Sequence, residues 1–306
     1  MAAPSPYANW FHEIWPVPTI ATGVGYVAVA YTISHWLTHR TAIPITLPSL
    51  PPDLKLESLE TTTDDKVRLH GWCIEPLNPR ATIVLHHGMR ECRLHMVDRV
   101  PWLAQLGFRC VIFDHRAHGE SEGHLTSFGW HERNDALAIA RFVVERWPGQ
   151  PRAALGRSMG AAALCYAGEA ARSYDAIVLE NLYLDLAMAF DSRIGCGYPG
   201  WVRYFRHAIV WITEKRLGMR IRDAAPIARI ADLASTPVLL LTGSEDLHAT
   251  PEDAERMAAQ IPNSSQFAVI AGAGHDDVFS RGGETYQRLV MDFLERNLFN
   301  AMSHAA

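Results

Sequence analysis

Short apolar runs alternate with helical segments along most of this 306-residue chain, and this alternation limits the folds that it can adopt. Runs with the composition of buried strands lie at 81–87, 109–114, 176–181 and 237–243. Several of the segments between them carry apolar residues every three to four positions, as amphipathic helices do. Strands that alternate with helices form mostly parallel sheets that are covered on both faces. We therefore predict an α/β fold with a mostly parallel central sheet flanked by helices.

Polar stretches follow the predicted strands at five places in the chain. These stretches read HHGMR, DHRAHGES, GRSMG, GSEDLH and GAGHDD. In an open α/β sheet, binding and catalytic residues collect in the loops at the carboxyl ends of the strands. The shared position of the five stretches therefore predicts one functional site at that edge of the sheet.

The pentapeptide GRSMG, residues 156–160, is a G-x-S-x-G motif. In a nucleophile elbow, the serine lies on a strained turn between a strand and a helix, and the turn lifts its hydroxyl above the sheet. Here the strand-like AALG leads into the motif, and a helix rich in small residues begins at Met159. The N-terminus of such a helix directs N–H groups towards the serine. This context favours Ser158 as a nucleophile over an ordinary serine between two glycines.

A general base is needed because a serine hydroxyl is a weak nucleophile near neutral pH. In chains with this elbow, the acid follows the serine in sequence and the histidine comes last. His275 follows the last predicted strand, in GAGHDD, where glycines permit a tight and exposed turn. We therefore expect His275 to be the base, in preference to the other downstream histidines His207, His248 and His304.

The base needs a carboxylate that orients it. Asp246 lies in LLLTGSEDLH, where a strand and a glycine turn precede it, and this position would bring it level with His275. Its neighbour Glu245 and the more distant Asp185, just beyond the 176–181 strand, are the competing carboxylates. We predict Asp246 as the acid and keep both alternatives open at this point.

The oxyanion of a tetrahedral intermediate needs preorganised hydrogen-bond donors. The backbone N–H of Met159, directly after the nucleophile, is the first expected donor. The second should come from the loop after an early strand, LHHGMRE, where Gly88 permits the turn and the N–H of Met89 is the expected donor.

Metal and cofactor chemistry would require other patterns. A group of histidines near the early strands is the alternative candidate site, in which a metal ion would be bound. It has no H-E-x-x-H or comparable ligand spacing. The group comprises His86, His87, His95, His115, His118, His124 and His131. The chain also lacks a G-x-x-x-x-G-K phosphate loop. We predict no metal and no cofactor, and the net charge of −5 argues against a nucleic-acid partner.

The cysteines indicate a reducing compartment. They are odd in number and have no C-x-x-C spacing, so they predict free thiols and no disulfide framework. They are Cys73, Cys92, Cys110, Cys165 and Cys196.

From about residue 64 to residue 298, these motifs resemble the α/β-hydrolase superfamily. LHHG resembles its oxyanion turn, GRSMG its nucleophile elbow, TGSEDLHATP its acid loop and GAGH its histidine loop. DHRAHGES resembles its D-x-R-G-H-G-x-S loop, with Ala117 where glycine is usual. The chain looks most similar to bacterial hydrolases of the serine-aminopeptidase-like and monoacylglycerol-lipase-like branch. The resemblance implies an α/β-hydrolase fold and acyl-transfer chemistry.

A serine nucleophile implies a serine hydrolase, since dehalogenase and epoxide-hydrolase relatives carry aspartate there. We expect a carboxylesterase or lipase-like enzyme that cleaves apolar acyl esters through Ser158, His275 and Asp246. The alternatives are a peptidase, amidase or thioesterase with the same triad, or a non-catalytic binding module on this scaffold.

Two further segments complete the predicted organisation. Residues 17–37 contain no Asp, Glu, Lys or Arg, and aromatic residues flank them. This composition predicts a hydrophobic helix that contacts or anchors in a membrane. The alternatives are packing on the protein's own surface or against a partner. Without such an anchor we expect a cytoplasmic protein. A Pro-rich linker follows, so we divide the chain into a segment at 1–50 and a hydrolase domain at 51–306.

A strand-free stretch at 182–232 interrupts the alternation and predicts a helical lid above the strand ends. Within it, WVRYFRHAIVWITEKRLG, residues 201–218, has the spacing of one amphipathic helix. The residues expected on its apolar face are Trp201, Tyr204, Phe205, Ala208, Ile209 and Ile212. An ordinary surface helix packed on the core is the alternative to a lid.

Overall fold

The computed structural model describes residues 16–197, 199–263 and 265–299, and within them eight strands form one sheet. The strands lie in the order β1-β2-β4-β3-β5-β6-β7-β8. β1 and β2 pair antiparallel, β2 pairs antiparallel with β4, and all other pairs are parallel. The bounds are β1 Lys55–Thr62, β2 Arg68–Glu75, β3 Ala81–His86, β4 Phe108–Phe113, β5 Arg152–Arg157, β6 Ala176–Glu180, β7 Val238–Gly243 and β8 Ser265–Ile270. The predicted mostly parallel α/β sheet is confirmed.

Helices connect and cover these strands. They are α1 Pro16–Thr38, α2 Val100–Gln105, α3 Arg133–Arg146, α4 Met159–Tyr166, α5 Gly168–Ala171, α6 Leu186–Gly197, α7 Arg206–Leu217, α8 Pro251–Ala258 and α9 Val278–Leu298. Short 3-10 helices lie at Arg93–Arg99, Gly200–Phe205, Ile221–Asp223, Pro226–Ala228 and Ile230–Leu233.

The central strands are buried on both faces, because alternate side chains pack into two apolar layers. Val84 of β3 belongs to the layer formed with α3 and α4, where Ile139 and Leu164 lie. Its neighbour Leu85 belongs to the opposite layer with α2 and α9. This two-sided burial explains why the central strands read as continuous apolar runs in the sequence.

The register of the parallel strands aligns their carboxyl ends. His86, the last residue of β3, lies opposite Gly156 near the end of β5. Arg157, the last residue of β5, lies opposite Glu180 at the end of β6. The loops that follow these three strands therefore emerge side by side, as the sequence predicts for the polar stretches.

Residues 182–232 form a helical insertion between β6 and β7, as predicted. The expected continuous α-helix over 201–218 differs from the structure: Gly200–Phe205 is a 3-10 helix, and α7 begins only at Arg206. Short 3-10 turns are frequent at the start of α-helices. The apolar face also divides, because Ile209 and Ile212 are buried whereas Trp201 and Tyr204 are exposed.

Helix α1 lies against α7 through its C-terminal half. The Ser34 and Thr213 hydroxyls form a buried hydrogen bond of 2.9 Å, and Leu37 is buried. Within the described parts of the chain, no helix combines the length and apolar character needed to cross a membrane. Residues 1–15 of the predicted 1–50 segment lie outside the described residues, and the domain division stays a prediction.

Candidate active site

The turn between β5 and α4 holds Ser158 in a conformation that L-residues rarely adopt, with φ 50° and ψ −110°. Such backbone strain costs on the order of 1–3 kcal/mol and persists only where the surroundings enforce it. The Ser158 N–H donates to the backbone oxygen of Glu180 over 2.8 Å, which holds the strained turn in place.

The two glycines of the motif are required by close backbone contacts. A Cβ atom on Gly160 would lie 2.5 Å from the carbonyl oxygen of His86. A Cβ atom on Gly156 would lie 2.7 Å from the amide nitrogen of Ala161. These contacts let the start of α4 lie directly against β3 and β5, which fixes the height of Ser158 above the sheet.

Ser158, His275 and Asp246 lie in one hydrogen-bonded chain. The Ser158 hydroxyl is 2.9 Å from Nε2 of His275. On the other side of the ring, Nδ1 of His275 is 2.8 Å from Oδ2 of Asp246. If Nδ1 carries the proton and donates to Asp246, Nε2 is free to accept a proton from the serine hydroxyl. The structure thus brings together the three residues that the sequence singled out.

Asp246 is buried, yet its carboxylate accepts several hydrogen bonds from other protein groups. Oδ1 accepts hydrogen bonds from the N–H groups of His248 at 2.7 Å and Ala249 at 2.9 Å. Burial raises the pKa of this carboxyl, but the hydrogen bond and charge of His275 and the two backbone donors together lower the pKa below its ordinary value. Asp246 is therefore charged near neutral pH and can stabilise an imidazolium at His275.

The two competing carboxylates lie elsewhere. Glu245 is exposed, and Asp185 accepts a hydrogen bond from the N–H of Met188 at 2.7 Å in the first turn of α6. Among the other histidines, His207 is exposed on α7 and His304 lies outside the described residues. His248 is hydrogen-bonded through Nδ1 to the Ser192 hydroxyl at 3.0 Å.

Asn181 is a site residue that the sequence reasoning missed. It follows β6, is fully buried and has φ 51°. Its Nδ2 donates to the backbone oxygens of His275 at 2.7 Å and Gly274 at 3.2 Å. The asparagine therefore fixes the loop that carries His275. Its position at the carboxyl end of a strand, beside the strand that bears the elbow, is the signal that could have revealed it.

The predicted oxyanion donors flank Ser158. Within the described chain, the N–H groups of Met89 and Met159 have no hydrogen-bond acceptor, so both are free for a ligand. The loop that carries Met89 is held on both sides: Gly88 N–H donates to Glu91 over 2.7 Å. On the other side, the N–H of Arg90 donates to Nε2 of the buried His118 over 3.2 Å.

An ion-pair network joins the three loops around Ser158. Arg157, next to the serine, contacts Glu91 of the loop after β3 at 2.7 Å and Asp276 of the loop after β8 at 3.0 Å. Asp277 accepts a hydrogen bond from the N–H of Gly274 over 2.7 Å, as a turn residue does. Arg157 and Glu91 are largely buried, whereas Asp276 is exposed, so solvent and salt screen the contact between Arg157 and Asp276 more than the contact between Arg157 and Glu91.

A mainly apolar cavity opens at Ser158 and His275 and encloses about 600 Å³, including space open to solvent. The insertion supplies Leu186, Ala189 and Phe190 to its wall. Helix α1 supplies Leu37, so a residue from the N-terminal segment forms part of the site. The remaining wall residues are Met89, Phe128, Met159, Tyr183 and His248.

Four histidines of the group considered for metal binding are buried: His86, His87, His115 and His118. His86 Nδ1 lies 3.2 Å from His115 Nε2, and the N–H of His115 donates to His87 Nε2 over 3.0 Å. Burial lowers the pKa values of His86, His87 and His118, so these rings are neutral. No group of three or more His, Cys, Asp or Glu side chains among the described residues is arranged to hold a metal ion.

Comparisons with known proteins agree with this geometry. Residues 77–216 match the family described as serine aminopeptidase S33, and residues 209–302 match the family described as TAP-like protein. Uncharacterized protein YqkD of Bacillus subtilis is 25% identical over 232 residues, with 74% of this chain and 75% of YqkD covered. Uncharacterized protein YfhR of Escherichia coli K12 is 27% identical over 255 residues, with 80% and 82% covered.

Solved structures share the fold at low sequence identity. The esterase Pf2001 of Pyrococcus furiosus has a TM-score of 0.69 at 20% identity, with 85% of this chain and 98% of the esterase covered. A thermophilic esterase of Thermogutta terrifontis has a TM-score of 0.56 at 19% identity, with 79% and 99% covered. The sheet order, the elbow and these matches agree with the resemblance noted in the sequence, and the chain has the α/β-hydrolase fold.

Proposed function

We propose that this protein is a serine hydrolase that cleaves carboxylic esters with apolar acyl groups. One observation carries the proposal: the hydrogen-bonded chain of Ser158, His275 and Asp246 ends at an apolar cavity. The chain of three supplies an activated nucleophile, and the cavity suits an aliphatic or aromatic acyl group.

The first half of the cycle forms an acyl-enzyme. His275 Nε2 takes the proton of the Ser158 hydroxyl while Oγ bonds to the ester carbonyl carbon. The N–H groups of Met89 and Met159 stabilise the resulting oxyanion. The C–O bond to the alcohol then breaks, and the imidazolium of His275 returns its proton to the leaving alcohol. Asp246 stabilises the imidazolium throughout.

The second half repeats the same steps with water. His275 removes a proton from a water molecule, and the hydroxide bonds to the acyl carbon. The tetrahedral intermediate collapses, Oγ leaves with the proton held by His275, and the carboxylic acid departs. No cofactor enters either half.

The helical insertion supports a lid function. Leu186, Ala189 and Phe190 of α6 line the cavity, and a covering element at this position would exclude water from the acyl-enzyme. The apolar lining and this cover favour lipase-like substrates over small polar esters.

A peptidase or amidase is the second candidate, because residues 77–216 match a family described as serine aminopeptidase. The same triad would serve amide substrates, with His275 protonating a leaving amine. Aminoacyl p-nitroanilides and acyl thioesters, assayed beside esters, distinguish these classes by their relative kcat/KM values.

The decisive assay is a panel of p-nitrophenyl esters of increasing acyl length, with Ser158→Ala as the control. We expect turnover that is lost in the variant and a preference for apolar acyl groups. A correctly folded wild-type protein that turns over none of the esters would refute the esterase proposal.

A further inference from the structure

Exposed aromatic residues and basic residues share the surface formed by α1 and residues 200–222. We propose that this surface, the aromatic–basic face, docks on membranes that contain anionic lipids. The face is defined by Tyr26 and Tyr31 of α1 and by Trp201, Arg203, Tyr204, Trp211, Lys215 and Arg220. This inference is independent of the proposed ester hydrolysis and goes beyond the hydrophobic contact predicted for residues 17–37.

The aromatic part of the face is one connected cluster. The rings of Tyr26 and Phe205 stack with centroids 4.6 Å apart, and Trp201 contacts Phe205 edge-on at 5.7 Å. The Tyr26 hydroxyl donates to the backbone oxygen of Tyr204 over 2.9 Å. These contacts hold the cluster in place, yet Trp201 is 52% exposed and Tyr204 is 76% exposed. Tryptophan and tyrosine rings with one apolar and one polar side favour the membrane–water interface.

Helix α1 extends the apolar part of the face beyond its contact with α7. Residues 23–28 are exposed at six consecutive positions, and among them Tyr26 packs against Phe205. Val24 and Val27 are 64% and 55% exposed, and the helix contains no Asp, Glu, Lys or Arg. An apolar helix end that the described protein leaves uncovered suits the headgroup and acyl-chain boundary.

Charge decides which lipids the face would prefer. Residues 201–222 carry six basic side chains and one acidic side chain. Arg206 and Arg222 pair with Asp191 and Asp223, which leaves a net charge of +3, whereas the whole chain has a net charge of −5. Arg203, Lys215 and Arg220 are exposed and form no ion pair with the described residues. Basic side chains beside an apolar insertion surface are attracted to the negative potential of anionic lipids.

A second copy of the chain fits this face less well. A two-fold symmetric dimer places the same patch of each subunit against the other, and here that would bring two positively charged surfaces together. An anionic lipid surface satisfies both the exposed rings and the positive charge.

Vesicle co-sedimentation of the full chain tests the proposal. We expect binding to vesicles of phosphatidylcholine with phosphatidylglycerol, little binding to phosphatidylcholine alone, and weaker binding as salt is raised. The triple variant Arg203→Glu/Lys215→Glu/Arg220→Glu should bind at least about tenfold more weakly. The double variant Trp201→Ala/Tyr204→Ala should also bind more weakly. The change in tryptophan fluorescence that vesicles cause in the wild type should be smaller in this variant.

The matched control is Arg141→Glu/Arg256→Glu/Arg288→Glu, which makes the same charge change on the exposed surfaces of α3, α8 and α9. It should bind anionic vesicles like the wild type. Hydrolysis of a soluble short-chain ester and the melting temperature report whether each variant is folded, separately from lipid binding. Equal binding to neutral and anionic vesicles, an equal loss in the control triple variant, or concentration-dependent dimerisation through the face in place of vesicle binding would overturn the proposal.

Discussion

Asn181 donates a hydrogen bond from Nδ2 to the backbone oxygen of His275, 2.7 Å away, although 94 positions separate the two residues. The contact joins the end of β6 to the loop after β8. It constrains the candidate base through its main chain, while Asp246 constrains the same residue through its ring. The orientation of His275 therefore depends on two separate strands besides its own.

Removing this donor should slow catalysis without removing the nucleophile. We expect Asn181→Ala to lower kcat by roughly 10- to 100-fold, because small misplacements of a catalytic group carry penalties of that size. KM for a p-nitrophenyl ester should change much less than kcat. Steady-state kinetics together with a melting curve make the measurement.

The isosteric variant Asn181→Asp is the matched control for shape. A carboxylate has the same size but cannot donate, and a protonated carboxyl can donate to only one of the two backbone oxygens. It should lose activity as Asn181→Ala does, whereas full activity in Asn181→Asp would show that the hydrogen bond is unimportant.

Gly160 should be intolerant of any side chain. A Cβ atom there would lie 2.5 Å from the carbonyl oxygen of His86, a backbone atom that cannot move aside without shifting β3. We expect Gly160→Ala to lower the free energy of unfolding by about 1–3 kcal/mol and to reduce activity sharply. Urea unfolding and ester turnover measure both effects.

Gly25 provides the comparison for this substitution. A Cβ atom on Gly25 meets nothing within 4 Å, and the residue lies in helix α1. Gly25→Ala should leave stability and turnover unchanged or slightly improved. Equal effects of the two substitutions would contradict the close-packing account of the elbow.

Leu37 should influence the choice of acyl group. Its side chain forms part of the cavity wall, so Leu37→Ala enlarges the cavity and Leu37→Phe reduces it. We expect the ratio of kcat/KM for long over short p-nitrophenyl esters to rise several-fold in Leu37→Ala and to fall in Leu37→Phe, since one methylene in an apolar pocket alters discrimination by about 1–3 kcal/mol.

Ile33 serves as the control on the same helix. It packs against the protein core but does not line the cavity. Ile33→Ala should alter stability while the long-to-short ratio stays at the wild-type value. If the Leu37 substitutions left the long-to-short ratio of kcat/KM unchanged, α1 would not form part of the substrate site.

Asp246 should affect both catalysis and acid stability. We expect Asp246→Asn to lower kcat by roughly 10⁴-fold, because an amide does not hold the required histidine tautomer. The pKa of Asp246 is lowered below its ordinary value of 3.8 in the folded protein. The charged form therefore stabilises the fold above that ordinary value, and this contribution is lost as the pH falls through the folded pKa.

Urea unfolding between about pH 6 and pH 3 measures the stability effect. Wild type should lose more stability towards the acid end than Asp246→Asn, whose amide does not titrate. Parallel losses in the two proteins would mean that Asp246 gains no favourable interaction as a carboxylate.

The strands and the loops of the candidate site could be predicted from the sequence because each is a local signal. The central strands are buried on both faces, so they appear as unbroken apolar runs, and Ser158, Asp246 and His275 each follow one of them directly. Parallel strands end at one edge, and this geometry brings residues together that are far apart in the chain.

Other features depend on tertiary contacts, which the spacing of apolar residues in the sequence does not reveal. Trp201 and Ile209 share an apolar pattern, but Ile209 is buried and Trp201 is exposed, because a pattern does not state which side another element covers. Leu37 reaches the cavity through the docking of α1 on α7, which a hydroxyl pair 179 positions apart helps to hold. Asn181 bonds to backbone oxygens of residues 274 and 275, so its position after β6 could have marked it as a site residue, but its partners could not be read from the sequence.

The central claim is that Ser158 is a nucleophile activated by His275. Labelling with a fluorophosphonate, followed by intact-mass and peptide mass spectrometry, tests it most directly. We expect one adduct per chain, located on Ser158, with strongly slowed labelling in His275→Ala and none in Ser158→Ala. A folded wild-type protein that acquires no adduct, or an adduct that persists in Ser158→Ala, would contradict it.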